Sequence, residues 1–127
     1  MLVMERYTES QEDFLEAMLM LEEEGRPMET TLVAEKLSIS KPAVHQMGHE
    51  LIKKGLITRI DYGPMALTEK GREVAKAVLH RHRVLHEVLT FIGVPEDIAE
   101  EDCCMIEHAI SETTFRAIEA KLAELKK

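Results

Sequence analysis

Tryptophan is absent from this chain of 127 residues, and two tyrosines and three phenylalanines are its only aromatics. So few large rings argue against a large β-sandwich and for helices packed through small residues. The two cysteines, Cys103 and Cys104, are adjacent. That is poor material for a disulfide framework and points to a reduced, cytoplasmic protein. No stretch approaches the roughly 18 consecutive apolar residues of a membrane span. Met1–Arg6 lacks a basic start leading into an apolar run, so neither a signal peptide nor a membrane partner is expected. Internal repeats and low-complexity tracts are also missing. With 45% apolar and 31% charged residues, the chain can bury a core and remain soluble. That balance excludes disordered, collagen-like and silk-like classes.

The net charge is −8, but it is not spread evenly. Residues 36–72 carry seven bases and three acids, between an acidic segment at 1–35 and another at 73–127. Phosphate binding needs local positive charge, not a positive total.

Hydrophobic periodicity predicts a helix over 8–24, for which Thr8 with Gln11, or Ser10 with Asp13, fits a capping box. Thr30 or Thr31 fits the cap of a short second helix. Ser40 fits the cap of a third, with Pro42 in its first turn and Val44, Met47, Leu51 and Ile52 on its inner face. The pattern then changes. Leu56, Ile57 and Ile60, then Met65 and Leu67, fit two short strands joined by the turn Asp61-Tyr62-Gly63-Pro64. A long helix follows from Thr68-Glu-Lys-Gly71 to about Ile92, and further helices at 97–109 and 112–126. The expected fold is mainly α with a small β-hairpin. Three helices and a hairpin make an N-terminal winged helix-turn-helix over residues 1–72, and residues 73–127 form a C-terminal helical domain.

In a winged helix-turn-helix the third helix enters the major groove of double-stranded DNA. Its outward residues here are Lys41, Pro42, Ala43, His45, Gln46 and His49. Gln46 has the bidentate amide that reads adenine, and Pro42 and Ala43 suit thymine methyls. Lys41, Lys53, Lys54 and Arg59 suit phosphates. A winged helix used only for protein contacts is the alternative. The basic segment favours DNA, because it coincides with the recognition helix and wing. His45 and His49 alone would be ordinary surface residues.

The sharpest chemical pattern is Cys104-Met-Ile-Glu107-His108. Positions i, i+3 and i+4 share a helix face, so a thiolate, a carboxylate and an imidazole converge in a set suited to a first-row transition metal. A buried cysteine beside a surface Glu–His pair is the plain alternative. Asp13 and Glu16 share a face of the first helix, where acids also favour the helix start for dipole reasons. His82 and His86 are i, i+4 on the long helix, whose polar stripe also holds His80, Arg81 and Arg83. The combination of all three with a winged helix is what points to metal.

With Glu12-Asp-Phe-Leu-Glu-Ala17, Ser40-Lys-Pro-Ala-Val44, Leu67-Thr-Glu-Lys-Gly71, Arg81-His82, Ile92-Gly-Val94 and Cys104-x-x-Glu107-His108 in that order, the sequence resembles the diphtheria-toxin-repressor and manganese-transport-regulator family of metal-dependent transcriptional repressors. The resemblance covers about Thr8 to Ser111. It implies a repressor of metal-ion homeostasis genes, with a C-terminal domain that binds metal and dimerises. It also implies that Asp13, Glu16, His82, Cys104, Glu107 and His108 are metal ligands. Asp13 and Glu16 match the manganese branch and Cys104 the iron branch. His86 and Glu100 depart from an ancillary iron-branch site. The implied cofactor is Mn(II) or Fe(II), with Co(II), Ni(II) and Zn(II) able to bind in vitro.

The resemblance implies a homodimer on a palindromic operator, joined through apolar faces such as Val84, Val88, Leu89 and Ile92. Metal would hold the DNA-binding and C-terminal halves in the orientation that fits the operator. No small-molecule substrate is expected. A hydrolase would call for a His-Glu-x-x-His run or a nucleophile beside a base, and the sequence has neither. A metal-independent winged-helix regulator is the other alternative.

Overall fold

Thr8 starts the first helix by a reciprocal cap. Its hydroxyl accepts from the Gln11 amide, and the Gln11 side chain accepts from the Thr8 amide, which satisfies two donors that a helix start leaves open. The helix, α1, runs Glu9–Glu23. It is followed by α2 (Thr30–Leu37), α3 (Lys41–Lys53), β1 (Ile57–Arg59), β2 (Met65–Leu67), α4 (Glu69–Phe91), α5 (Glu96–Ala109) and α6 (Glu112–Leu125). The computed structural model describes residues 7–61 and 63–127. Met1–Arg6, and Tyr62 of the expected turn, lie outside the described residues. The chain divides into two units, Met1–Ala77 and Val78–Lys127, and α4 contributes to both.

The first unit is a winged helix-turn-helix. Here α1 packs on α2 and β2, α2 on α3, and α3 on β1. The antiparallel hairpin pairs Ile57 with Leu67, Thr58 with Ala66 and Arg59 with Met65. Its period-2 pattern turns Ile57, Met65 and Leu67 inward and leaves Thr58 and Ala66 exposed. Ile60, expected as a strand residue, is instead 83% exposed. It stands beyond Arg59, beside Asp61, whose φ of 45° takes the chain into the turn.

Two further expectations are corrected. Ile52 does not belong to the inner face of α3, where it is exposed. The buried stripe is Val44, Gly48 and Leu51, at the i, i+4, i+7 spacing of one helix face. A Cβ at Gly48 would lie 3.9 Å from the Met65 sulfur, so the hairpin approaches α3 there. Neither Thr30 nor Thr31 caps α2. Its N-cap is Glu29, with no side-chain hydrogen bond, and the Thr30 hydroxyl instead accepts from Arg59 at 2.8 Å.

In the second unit, Val84, Leu85, Cys103, Phe115 and Leu122 form a buried cluster. Val88, Leu89, Ile106, Ile110 and Ile118 pack against it. Val84, expected at the dimer face, is therefore committed to the protomer's own core. Phe91, Ile92 and Ile98 are exposed. Ser111 caps α6 by accepting from the Thr114 amide. Among the described residues no helix is long and apolar enough to cross a membrane.

The start of α4 is locked to the wing. The Thr68 hydroxyl donates to the Gly55 carbonyl and accepts from the Gly71 amide, and the Thr68 amide donates to the Leu56 carbonyl. A Cβ on Gly71 would fall 1.8 Å from that same Leu56 oxygen. Backbone cannot swing aside as a side chain can, so Gly71→Ala must part α4 from the hairpin. It should lower stability by about 1–3 kcal/mol or more, read as a lowered Tm.

Arg72 on α4 grips Glu22 on α1 through two guanidinium nitrogens, one of them 2.9 Å from Oε2. The Arg72 hydrogen bonds hold Glu22 below the ordinary carboxylate value of 4.5, against the opposing effect of its slight burial. A lowered acid contributes stability above its unfolded pKa and loses it as pH falls. Both side chains are about a third exposed, which limits the pair to roughly 1 kcal/mol or less. Glu22→Gln should melt below the natural chain at neutral pH, and the gap should close below about pH 4.

Candidate metal centre and nucleic-acid interface

Ser40 begins the recognition helix, its hydroxyl accepting from the Ala43 amide. Lys41 and Pro42 then fill the first turn, where proline lacks only a donor that would be open anyway. Lys41, Pro42, His45, Gln46, His49, Lys53 and Lys54 are exposed, and Ala43 and Arg59 are half-buried. Not all are equally available to DNA. Arg59 donates to the Gly63 carbonyl at 3.0 Å and the Thr30 hydroxyl at 2.8 Å, and its third nitrogen lies 3.2 Å from His45 Nδ1. It therefore ties the wing to α2 and α3. Lys54 donates to Gln11 at 3.1 Å and lies 5.5 Å from the Tyr7 ring. His45, Gly48, His49, Ile52, Arg59 and Met65 line a shallow concavity between α3 and the hairpin.

The candidate metal centre lies in the second unit, where α4 presents His82 to α5. His82 Nδ1 is 3.0 Å from Glu107 Oε2, and Nε2 is 3.1 Å from Glu100 Oε1. Cys103 Sγ lies 3.6 and 3.7 Å from the two ring nitrogens, and Cys104 Sγ 3.8 Å from Nδ1. Glu107 is 2% exposed. Its Oε1 makes no hydrogen bond, although His108 Nε2 stands 3.2 Å away. Burial works against charging Glu107, but the facing His108 and His82 outweigh it and hold the acid below its ordinary value. Burial, with Cys104, Glu100 and Glu107 nearby, pushes the Cys103 thiol up to about 12.

Pairwise contacts thus link four of the six expected ligands in series, Cys104 to His82, His82 to Glu107 and Glu107 to His108. A buried carboxylate oxygen with no hydrogen bond, facing an imidazole nitrogen, is a donor pair that fits a divalent cation. Asp13 and Glu16 lie on α1, in the first unit, half-buried and buried respectively. Sequence reasoning passed over Cys103 as a partner of His82. Helical spacing puts Cys104 rather than Cys103 on the face of Glu107 and His108, and only the α4–α5 packing shows which sulfur is buried. Glu100 bridges His82 and His86, its second oxygen 3.7 Å from His86 Nε2. The rings of His82 and His86 stack, with centroids 6.5 Å apart.

Two family descriptions match the chain. "Iron dependent repressor, N-terminal DNA binding domain" covers residues 6–63, and "Iron dependent repressor, metal binding and dimerisation domain" covers residues 68–127. An HTH-type transcriptional regulator of Methanocaldococcus jannaschii is 35% identical over 94% of this chain and 97% of that protein. The HTH-type transcriptional regulator MntR of Bacillus subtilis is 34% identical over 82% of this chain and 73% of its own. A solved manganese-dependent transcriptional repressor in complex with manganese superposes with a TM-score of 0.82 at 28% identity, over 89% of this chain and 52% of that one. The chain therefore spans about half the length of that solved relative.

The two basic residues Arg59 and Lys53 should behave differently. Arg59→Ala removes a guanidinium that holds three partners and should cost about 1–3 kcal/mol of stability. Lys53→Ala, on the exposed end of α3, should stay within about 0.5 kcal/mol. Thermal melts of the two variants compare them directly.

Proposed function

The chain belongs to the iron-dependent repressor family, whose members are metal-dependent transcriptional repressors rather than enzymes, and from that membership we propose that it represses metal-ion homeostasis genes by binding a palindromic operator as a metal-loaded homodimer. Residues 1–72 form the DNA-binding domain and residues 73–127 the metal-binding and dimerisation domain. The observation that carries the reading is the buried Glu107 between His82 and His108, beside Cys104, in a chain whose other unit is a winged helix-turn-helix.

Cys104, Glu107, His108 and His82 would hold the ion, with Asp13 and Glu16 joining them on the strength of the family resemblance alone. When bound, a divalent ion supplies positive charge that offsets these acids and favours one arrangement of the helices that carry them, which is a population shift between two states. Glu107 keeps both imidazoles aimed, one at each oxygen. Mixed oxygen, nitrogen and sulfur donors suit Mn(II) or Fe(II) in the cell, and Co(II), Ni(II) and Zn(II) in vitro. Gln46 reads a base edge, Pro42 and Ala43 meet thymine methyls, and Lys41 and Lys53 meet phosphates. His45 and His49 flank them on the same exposed helix. Lys54 and Arg59 lend positive charge while holding α1, α2 and the wing in place. Exposed Phe91, Ile92 and Ile98, next to half-buried Val88 and Leu89, supply the apolar dimer face. As a DNA-binding regulator whose cysteines form no disulfide, it works in the cytoplasm.

A duplex enriched by the protein from a random pool in Mn(II) tests the reading, with affinity followed by fluorescence anisotropy under anaerobic conditions. Chelator should abolish specific binding, and Mn(II) or Fe(II) should restore it. Affinity should fall with salt by a log–log slope of about −0.9 per phosphate contacted. Gln46→Ala should lose about 1–3 kcal/mol and relax preference at one base pair, whereas Lys53→Ala weakens all sequences alike. Specific binding that survives chelation would make the chain a metal-independent regulator.

A further inference from the structure

Cys103 lies outside the ligand set proposed above. It occupies a fully buried position on α5, yet its sulfur sits beside the same imidazole as that of exposed Cys104. His82, Cys103 and Cys104 place one donor atom each within 4.8 Å of the others. The nitrogen-to-sulfur distances are 3.6 Å to Cys103 and 3.8 Å to Cys104, both measured from Nδ1. A tetrahedral d10 cation with metal–sulfur bonds of about 2.3 Å and metal–nitrogen bonds of about 2.0–2.1 Å needs nitrogen–sulfur edges of about 3.6 Å. The two nitrogen–sulfur separations are therefore close to that edge, the two sulfurs lie within 4.8 Å of each other, and the fourth corner is left for solvent or a carboxylate.

We propose that His82, Cys103 and Cys104 form a second, soft coordination site for a thiophilic d10 cation of the Zn(II)–Cd(II) class. Two thiolates and one imidazole favour such ions over Mn(II), which prefers oxygen donors. Binding there releases two thiol protons to solvent. Cys103 Sγ is nearly equidistant from both ring nitrogens, so it lies off the lone-pair direction of Nδ1. Ligation turns the imidazole about χ2, a broad and soft torsion, and gives up the His82 contact with Glu107. Exposed Cys104 is the entry point, and buried Cys103 supplies the water-excluded second sulfur. The soft site takes Cys104 away from Glu107 and His108, so a thiophilic ion and the repressor's own metal compete for this chain.

The proposal rests on the function above only through that sharing of Cys104, and its test uses no DNA. The full reduced chain is titrated anaerobically with Cd(II), and the sulfur-to-cadmium charge-transfer band is read per ion bound. Cys103→Ala should halve the band and weaken Cd(II) at least tenfold, while Mn(II) affinity, read from the electron paramagnetic resonance of the free ion, moves less than threefold. An unchanged band and affinity would overturn the proposal. So would equal weakening of both metals, which is what loosened packing around Cys103 would give. Should Cys103→Ala fail to fold, Cys104→Ser decides at an exposed position. A band halved but persisting supports two thiolates, and a band abolished leaves Cys104 as the sole sulfur ligand and ends the proposal. Failure of the repressor reading shows separately, as absence of metal-dependent DNA binding by the natural chain.

Discussion

Glu107 has a side chain only 1% exposed, and a carboxylate so far from water stays charged only where donors or cations surround it. That requirement organises the second unit. One oxygen takes His82 and the other faces His108, so α4 and α5 are held in the register that brings those residues together. The apolar cluster of Val84, Leu85, Cys103, Phe115 and Leu122 closes the same unit. A buried acid flanked by two imidazoles stabilises little by itself, because desolvation offsets most of the attraction. Its value lies in geometry: it orients two metal-competent rings and leaves one of its own oxygens without a hydrogen bond.

The first unit meets a different constraint, which is to hold a positively charged helix outward on a small scaffold. Ser40 and the proline at the start of α3 fix where the helix begins, and Val44, Gly48 and Leu51 fix which side is buried. Arg59 then spends its guanidinium on the wing, α2 and α3 rather than on solvent. Thr68 and Gly71 set the approach of α4 to the Leu56 backbone. Charge enters twice here, once as scaffold in Arg59 and Arg72 and once as the exposed cations of α3. Only the partners of each residue tell the two apart.

Much of this was legible in advance. Capping residues and i, i+3, i+4 spacing are local signals, so Thr8, Ser40 and the Cys104-x-x-Glu107-His108 face could be read directly from the order of residues. Thr30 was misread, because its hydroxyl is taken by an arginine 29 residues further along the chain. Ile52 and Ile60 were misread for a related reason. Apolarity marks candidates for burial, but the margin of a helix stripe and the end of a short strand depend on what packs against them.

The sequence by itself determined the element order, the winged helix-turn-helix class, the basic segment and the kinds of metal donor, since each follows from spacing along one chain. Tertiary structure decided which of two adjacent cysteines is buried, that Glu107 rather than solvent faces both His82 and His108, and that Arg59 and Lys54 are partly committed to the scaffold. The physical reason is that burial and hydrogen-bond partnership are properties of two surfaces at once. Local periodicity describes only one of them.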